Sequence, residues 1–238
     1  MSTYFISDLH LCEQQPQISR LFVQFCRDQV CHAQALYILG DFFEYWLGDD
    51  AIDIKADNTA KMVQKELITL SEQGVEIYFM AGNRDFLLGQ EFASNCGMQI
   101  INEPTVIDLY GEQVLLIHGD AECTDDIPYQ QARTMLRDPQ WQLQFLNMDI
   151  EQRMDFAEKA RLQSQQHTQN TSTEIMDVNQ AAIEDLFTKH QVKTIIHGHT
   201  HRPAIHQALS KQRIVLGDWH HQSSYLVVDA NSKQLIST

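Results

Sequence analysis

The stretch Lys193-Thr194-Ile195-Ile196-His197-Gly198-His199-Thr200-His201 joins an apolar run to a cluster of histidines. The apolar run is typical of a buried β-strand, and Pro203 prevents a helix from continuing after it. Two histidines separated by one glycine at the C-terminal end of a strand can point both imidazoles into one crevice. Because neutral imidazole is the commonest metal ligand, this stretch predicts metal ligands at His197 and His199.

Four other apolar strands are predicted to end in the same manner, at Asp, Asn or His. In sheets of this kind, ligands bind beyond the carboxyl ends of the strands. The predicted metal ligands are Asp8, His10, Asp41, Asn83, His118, His197 and His199.

This donor set contains two carboxylates, one amide and four imidazoles. Nitrogen and oxygen donors without thiolate suit Mn, Fe, Zn or Ni better than Ca. Seven donors are too many for one ion and sufficient for two ions that share a bridge, for which Asp41 is the natural candidate. Two ions about 3.5–4 Å apart form a clamp for displacement at phosphorus. Each residue alone could be a structural histidine or a turn residue, and only the joint pattern indicates a metal site.

The chain of 238 residues, 43% of them hydrophobic, is long enough for one domain with a full core. Helices and strands alternate in the first half, and consecutive short strands dominate the end. This order predicts an α/β layered sandwich of two sheets. Helices are predicted near residues 17–31, 58–73, 89–96 and 177–189.

Residues 127–165 differ from the rest and are predicted to form a helical cap inserted into a single domain spanning 1–238. The stretch 127–163 carries five basic and five acidic residues, so its net charge is zero while the remainder carries the whole charge of −15. Its apolar residues could line a slot for a ligand or pack the cap onto the sandwich; they are Trp141, Phe145, Leu146 and Met148. The polar residues 163–174 are predicted to be flexible.

The acidic net charge argues against nucleic acid as a partner, because phosphate contacts need Lys and Arg. Five cysteines without a C-x-x-C pair are typical of reduced thiols in a cytosolic protein. The apolar strand that follows directly after Met1 predicts no secretion signal, and no apolar run approaches a membrane span.

The strand-end motifs, taken in order, resemble those of the calcineurin-like metallophosphoesterases. They are Asp8-x-His10, Gly40-Asp41, Gly82-Asn83-Arg84-Asp85, His118-Gly119-Asp120 and His197-Gly198-His199. The resemblance implies an αββα sandwich of two mixed sheets and a dinuclear centre. It implies that the first ion takes Asp8, His10, Asp41 and His199, and the second takes Asp41, Asn83, His118 and His197.

Arg84 departs from many members of the family, which carry His or Glu after the asparagine. An arginine cannot act as a general acid at neutral pH, but its guanidinium binds phosphate through two donors. We therefore expect a leaving group that needs little protonation, such as the phosphate of a cleaved pyrophosphate.

Longer matches resemble one subgroup, the pyrophosphatases that cleave UDP-2,3-diacylglucosamine in lipid A biosynthesis. They lie at residues 82–89, 118–126, 175–179 and 197–203. The resemblance implies hydrolysis to UMP and lipid X by water attack on the α-phosphorus, and two Mn²⁺ ions per chain. It also implies a monomeric cytoplasmic protein bound peripherally to the inner membrane. Two alternatives stay open: a dinuclear phosphodiesterase or phosphatase with a soluble substrate, and a non-catalytic scaffold.

The same resemblance implies catalytic roles for Asn83 and Arg84 and a set of substrate contacts. Where the family uses an asparagine and a lysine after the serine, this chain offers two threonines. The expected substrate contacts are Asn83, Arg84, Asp126, Arg161, Ser164, Thr168, Thr171 and His197.

Overall fold

Two β-sheets form the centre of the molecule in the computed structural model, which describes residues 1–54, 58–220 and 222–237. The first sheet contains β1 (Thr3–Ile6), β2 (Ala35–Leu39), β3 (Glu76–Met80), β4 (Met98–Ile101), β10 (Ser224–Val228) and β11 (Lys233–Ser237). The second contains β5 (Thr105–Leu109), β6 (Glu112–Leu116), β7 (Thr194–His197), β8 (Ala204–Ala208) and β9 (Lys211–Val215). The spatial orders are β11-β10-β1-β2-β3-β4 and β5-β6-β7-β9-β8.

Parallel pairing brings the strand ends that matter to one edge. Strands β1 to β4 run parallel to one another, and so do β6, β7 and β9. The strands at the flanks, β10, β11, β5 and β8, pair in the antiparallel direction. The prediction of two mixed sheets is therefore confirmed. The loops that follow β1, β2, β3, β6 and β7 all open at the same side of the sandwich.

Alternation along the strands builds three apolar layers. Phe5 and Leu116 point between the sheets, whereas the neighbouring Ile6 and Leu115 point to the outer faces. Helices cover both outer faces, which gives the predicted αββα order. The helices of the sandwich are α1 (Pro16–Phe25), α2 (Ala51–Ile54), α3 (Asn58–Glu72), α4 (Gln90–Asn95) and α8 (Gln180–His190).

Three further helices follow the second sheet's β6 in the chain: α5 (Ile127–Leu136), α6 (Pro139–Leu146) and α7 (Ile150–Asn170). We call these three the cap helices; the domain limits predicted from the sequence stay a prediction. The prediction that residues 163–174 are flexible is wrong for residues 163–170, because α7 continues to Asn170. Asp149 and Gln152 form a capping box that fixes the start of this helix.

Polar contacts attach the cap helices to the sandwich. Arg153 of α7 is buried and donates to the carbonyl oxygen of Leu47 and to both carboxylate oxygens of Asp50. From α5, Arg137 donates to the carbonyl oxygen of Gly82 at 2.9 Å. None of the described helices has the length and apolar character needed to cross a membrane.

Candidate metal centre

The loops after β1 and β2 are hydrogen-bonded side by side, which places their ligands next to each other. The amide of Asp8 donates to the carbonyl of Gly40 at 3.1 Å, and the amide of His10 donates to that of Asp41 at 3.0 Å. Asp8, His10 and Asp41 all have φ between 50° and 58°. Left-handed backbone is uncommon for residues other than glycine, so the fold holds these three residues in a conformation that aims their side chains.

Asp8 also joins the two sheets, because its Oδ2 accepts the amide of His199 at 2.8 Å. Gly198 makes this approach possible. A Cβ at that position would overlap the hydroxyl of Ser7 and the carboxylate of Asp8. His199 and His201 follow this glycine with φ of 66° and 54°.

The first group of donors consists of Asp8, His10 and His201. The Nε2 atoms of the two histidines lie 3.3 Å apart, and Nε2 of His201 lies 3.2 Å from Oδ1 of Asp8. That oxygen is buried and, apart from the ring of His201, has no hydrogen-bonding partner among the described residues. A buried carboxylate oxygen without a donor is costly unless it meets a cation, so this group fits a metal ion.

The second group consists of Asp41, His118 and His199. The amide oxygen of Asn83 lies 3.1 Å from Nε2 of His118 and 3.0 Å from Nδ1 of His199. Asp41 lies between the groups, with Oδ2 at 3.8 Å from His10 and Oδ1 at 3.7 Å from His118. Its position suits the bridging role expected from the sequence.

His197 belongs to neither group, and here the structure differs from the prediction. It is the last residue of β7, and its buried ring has Nε2 at 3.2 Å from Nη1 of Arg213 on β9. Burial and the charge of Arg213 lower the pKa of His197 to about 3. The positive charge of Arg213 beside Nε2 disfavours a second cation there. His199 lies in the second group, where His197 was expected, and His201, which the sequence analysis did not propose, lies in the first group, where His199 was expected.

Carboxylates outside the two groups contact the histidines of the first. Nδ1 of His10 lies 3.1 Å from Oε2 of Glu44, and Nδ1 of His201 lies 3.4 Å from Oδ2 of Asp218. In the second group, Nδ1 of His118 donates instead to the carbonyl oxygen of Leu39 at 2.8 Å. Nδ1 of His118 is therefore held by a hydrogen bond, whereas Nδ1 of His10 and of His201 lies beside a carboxylate at ion-pair distance, and in all three rings Nε2 faces the other donors.

Burial and neighbouring charge give the site histidines different proton affinities. Burial alone would lower the pKa of His118, but carboxylates, Asp41 foremost, raise it to about 9. Burial acts in the same way on His201, where Asp8 and Asp218 raise the pKa to about 10. Burial and the charge of His118 lower the pKa of His199 to about 4.

Arg84 stands at the entrance and contacts both the sandwich and the cap helices. Its amide donates to Oδ1 of Asp41 at 2.8 Å, and its Nη2 donates to Oγ of Ser164 at 3.2 Å. The Nε of Arg84 is buried and has no hydrogen-bond partner among the described residues. A free guanidinium donor beside two groups of metal donors suits a phosphate oxygen.

The other expected substrate contacts lie at the start of α5 and along or just after α7, and most have neighbours within the protein. Asp126 caps α5 and accepts from Nε2 of His167 at 2.7 Å, a histidine that the sequence analysis missed. Thr168 donates to the carbonyl of Ser164, and Thr171 lies 3.4 Å from the ring of His167. Arg161 lies with Nε 3.1 Å from Oε1 of Glu44.

The apolar residues expected in the cap divide into two kinds. Trp141 and Phe145 stack at 5.2 Å and pack against Phe156, and all three pack in the apolar core of the first sheet, so they attach the cap helices to the sandwich. Leu146 and Met148 are exposed. Trp141 and Phe145 therefore serve packing, whereas Leu146 and Met148 offer an apolar surface to a ligand.

Comparison with known proteins agrees with this geometry. The model of the calcineurin-like phosphoesterase family matches residues 1–203. A UDP-2,3-diacylglucosamine hydrolase of Stenotrophomonas maltophilia (strain R551-3) is 50% identical, covering 97% of this chain and 96% of the relative. One of Serratia proteamaculans (strain 568) is 47% identical, covering 99% and 98%.

Among solved structures, a novel archaeal phosphodiesterase superposes with a TM-score of 0.53 at 14% identity and covers all of both chains. This likeness concerns the fold alone. The family match over most of the chain and the relatives at nearly full length agree with the sandwich. The chain belongs to the calcineurin-like phosphoesterase family.

Proposed function

We propose that this chain hydrolyses the pyrophosphate bond of UDP-2,3-diacylglucosamine to UMP and 2,3-diacylglucosamine 1-phosphate (lipid X), a step of lipid A biosynthesis. The observation that carries the proposal is the pair of donor groups beside Arg84, whose buried Nε is free to bind a phosphate oxygen. Relatives that carry the name of this activity match the chain at 44–50% identity over nearly its full length, which supports the same substrate.

We propose a dinuclear Mn²⁺ centre built on these groups. The donors are nitrogen and oxygen without thiolate, which suits Mn²⁺. The ligands would be Asp8, His10, Asp41 and His201 for one ion, and Asp41, Asn83, His118 and His199 for the other. Bound there, the ions supply a Lewis acid that neutralises charge on the phosphoryl oxygens and lowers the pKa of the attacking water.

The protein's own side chains orient the reacting phosphate. Arg84 donates from Nε to a non-bridging oxygen, while its Nη2 stays near Ser164 on the cap helices. Asn83 fixes the second donor group through its amide oxygen. Water attacks the α-phosphorus and loses a proton to solvent, so that its oxygen stays in UMP. The bond to the bridging oxygen breaks, and lipid X leaves as a phosphate that needs no proton from Arg84. The charge that develops in the transition state falls within reach of the guanidinium.

We further propose peripheral association with the cytoplasmic face of the inner membrane through the cap helices. Their surface exposes several large apolar side chains, with Leu143 64% exposed. A diacylated substrate resides in a membrane, and apolar residues next to the site would shorten its path into it. The exposed residues are Ile127, Met135, Leu143, Leu146, Met148, Met154 and Leu162.

The test is hydrolysis of UDP-2,3-diacylglucosamine in water enriched in heavy oxygen, with metal-stripped protein before and after Mn²⁺ is added. We expect product only with Mn²⁺, and the label only in UMP. Label in lipid X would move the attack to the other phosphorus. No cleavage, together with brisk cleavage of a simple phosphodiester, would overturn the substrate assignment. Asp41→Ala is the matched inactive control.

A further inference from the structure

Glu44 lies between a donor of the first group and the cap helices, with one carboxylate oxygen directed at each. Its Oε2 lies 3.1 Å from Nδ1 of His10, and its Oε1 lies 3.1 Å from Nε of Arg161 on α7. The side chain of Glu44 is only 15% exposed. The carboxylate therefore lies at ion-pair distance from two partners that belong to different parts of the molecule.

The backbone fixes Glu44 with respect to His10. Leu11 donates to the carbonyl of Phe42, and the amide of Glu44 donates back to the carbonyl of Leu11 at 3.2 Å. The buried carboxylate of Asp85 accepts the amide of Phe42 at 2.7 Å and holds the same loop from the other side. The backbone of Glu44 is therefore fixed close to that of His10.

The contact with His10 determines which ring nitrogen is available. A carboxylate beside Nδ1 favours the proton on that nitrogen and leaves the lone pair of Nε2 free. Nε2 is the atom that faces His201 at 3.3 Å and Asp41 at 3.8 Å. Glu44 therefore selects the form of His10 that can bind a cation.

The contact with Arg161 reaches the face of α7 that looks at the site. Ser164, one helical turn further along, touches Arg84. We propose that Glu44 is a positioning residue with two roles. It orients His10 for metal binding and, through Arg161, it positions this face of α7, so that both roles depend on one carboxylate. This inference rests on the ligand assignment in the proposed function.

The chain offers a matched control in Asp50. It lies in the same loop and forms an ion pair with α7, with Oδ2 at 2.7 Å from Nη2 of Arg153. It belongs to neither donor group. Glu44→Gln and Asp50→Asn each remove one negative charge between this loop and α7, but only the first touches a proposed metal ligand.

The experiment measures Mn²⁺ binding to the full chain, by metal content after equilibration and by the electron paramagnetic resonance signal that distinguishes paired from single ions. We expect Glu44→Gln to weaken binding of one of the two ions by about 10- to 100-fold, the usual effect of losing an outer partner of a metal-bound histidine. Single-ion signal should then replace paired-ion signal at limiting Mn²⁺. Asp50→Asn should keep the wild-type signal.

Kinetics at saturating Mn²⁺ test the second role of Glu44, the positioning of α7 through Arg161. Glu44→Gln should raise KM, and Arg161→Met should raise KM without changing Mn²⁺ affinity. The double variant should raise KM no further than Arg161→Met alone, because both changes break the same contact.

The outcomes separate this inference from the proposed function. Wild-type protein that fails to take up two ions would overturn the dinuclear centre. Wild-type protein that takes up two ions, with a Glu44→Gln variant of equal affinity and KM, would overturn the role of Glu44 alone. Equal weakening by Asp50→Asn would also overturn it, because a general loosening of the loop would then explain the effect.

Discussion

The histidine motif after β7 shows at the level of single residues how the exact end of a strand decides which side chains reach a candidate metal site. The sequence analysis took His197 and His199 as ligands because they follow an apolar run. The structure ends β7 at His197, so His199 and His201 lie two and four residues beyond the strand. Asp8 and His10 have the same offsets from Ile6, the last residue of β1. The spacing of Asp8 and His10 matches that of His199 and His201, and this match is visible in the sequence.

This register difference gives a direct prediction. His201→Ala should remove a ligand of the first group and lower kcat/KM by about three orders of magnitude or more, several kcal/mol of transition-state stabilisation. His197→Asn should leave both ions in place, because the ring of His197 faces Arg213. Metal content and kcat/KM of the two variants provide the measurement. Metal loss from His197→Asn with full occupancy in His201→Ala would restore the original assignment.

Asp218 is expected to act on His201 as an outer partner, since its carboxylate lies 3.4 Å from Nδ1. Asp218→Asn should lower the affinity for Mn²⁺ by about 10- to 100-fold while the fold persists. Titration of metal-stripped protein with Mn²⁺ measures this. The control is Asp177→Asn, which removes one surface carboxylate that pairs with Arg202 and not with a proposed ligand. Equal affinities in both variants would exclude a role for Asp218.

At the scale of elements, the sandwich and the helical character of residues 127–163 were predictable, but the continuation of α7 to Asn170 was not. Alternating and continuous apolar patterns in the strands report burial directly, so the order of elements could be predicted from the sequence. Helix α7 is polar along most of its length, and polar contacts such as Arg153 with Asp50 attach it. An apolar pattern cannot reveal how far such a helix continues. The capping box at Asp149 and Gln152 was the one local signal of where it begins.

The close approach of two loops at Gly198 is also a property of elements, because it brings the sheets together at their edge. Gly198→Ala would force its Cβ into Ser7 and Asp8. We expect a loss of about 1–3 kcal/mol in the free energy of unfolding, the usual cost of overpacking, together with loss of bound Mn²⁺. Thermal unfolding and metal content measure the two effects.

Gly74→Ala is the control for this change. Its φ of 90° strains an alanine, but the space around it is open and far from the site. This variant should lose stability and keep its metal. Retention of full metal content in Gly198→Ala would show that the loops can separate without disturbing Asp8.

For the whole molecule, the net charge of −15 matters at the donor groups, because several of its carboxylates are buried beside histidines. Asp8, Asp41 and Asp120 are all buried, and their negative charge acts on the nearby histidines. The sequence showed the excess of acidic residues but not which ones the fold would bury together. Their position at one edge explains why His118 and His201 bind protons more tightly than free imidazole does.

Proton release on metal binding follows from that arrangement. With a pKa of about 9 for His118 and about 10 for His201, both rings are protonated near neutral pH in the absence of metal. A cation needs their lone pairs, so Mn²⁺ binding must displace these protons. Because the pKa values are raised, acidification favours the proton, and the apparent affinity for Mn²⁺ should rise with pH until those pKa values are passed. Calorimetric titration in two buffers of different ionisation enthalpy measures the release. Asp218→Asn, which removes a carboxylate that raises the pKa of His201, should release fewer protons, and identical heats in both buffers for wild-type protein would contradict the prediction.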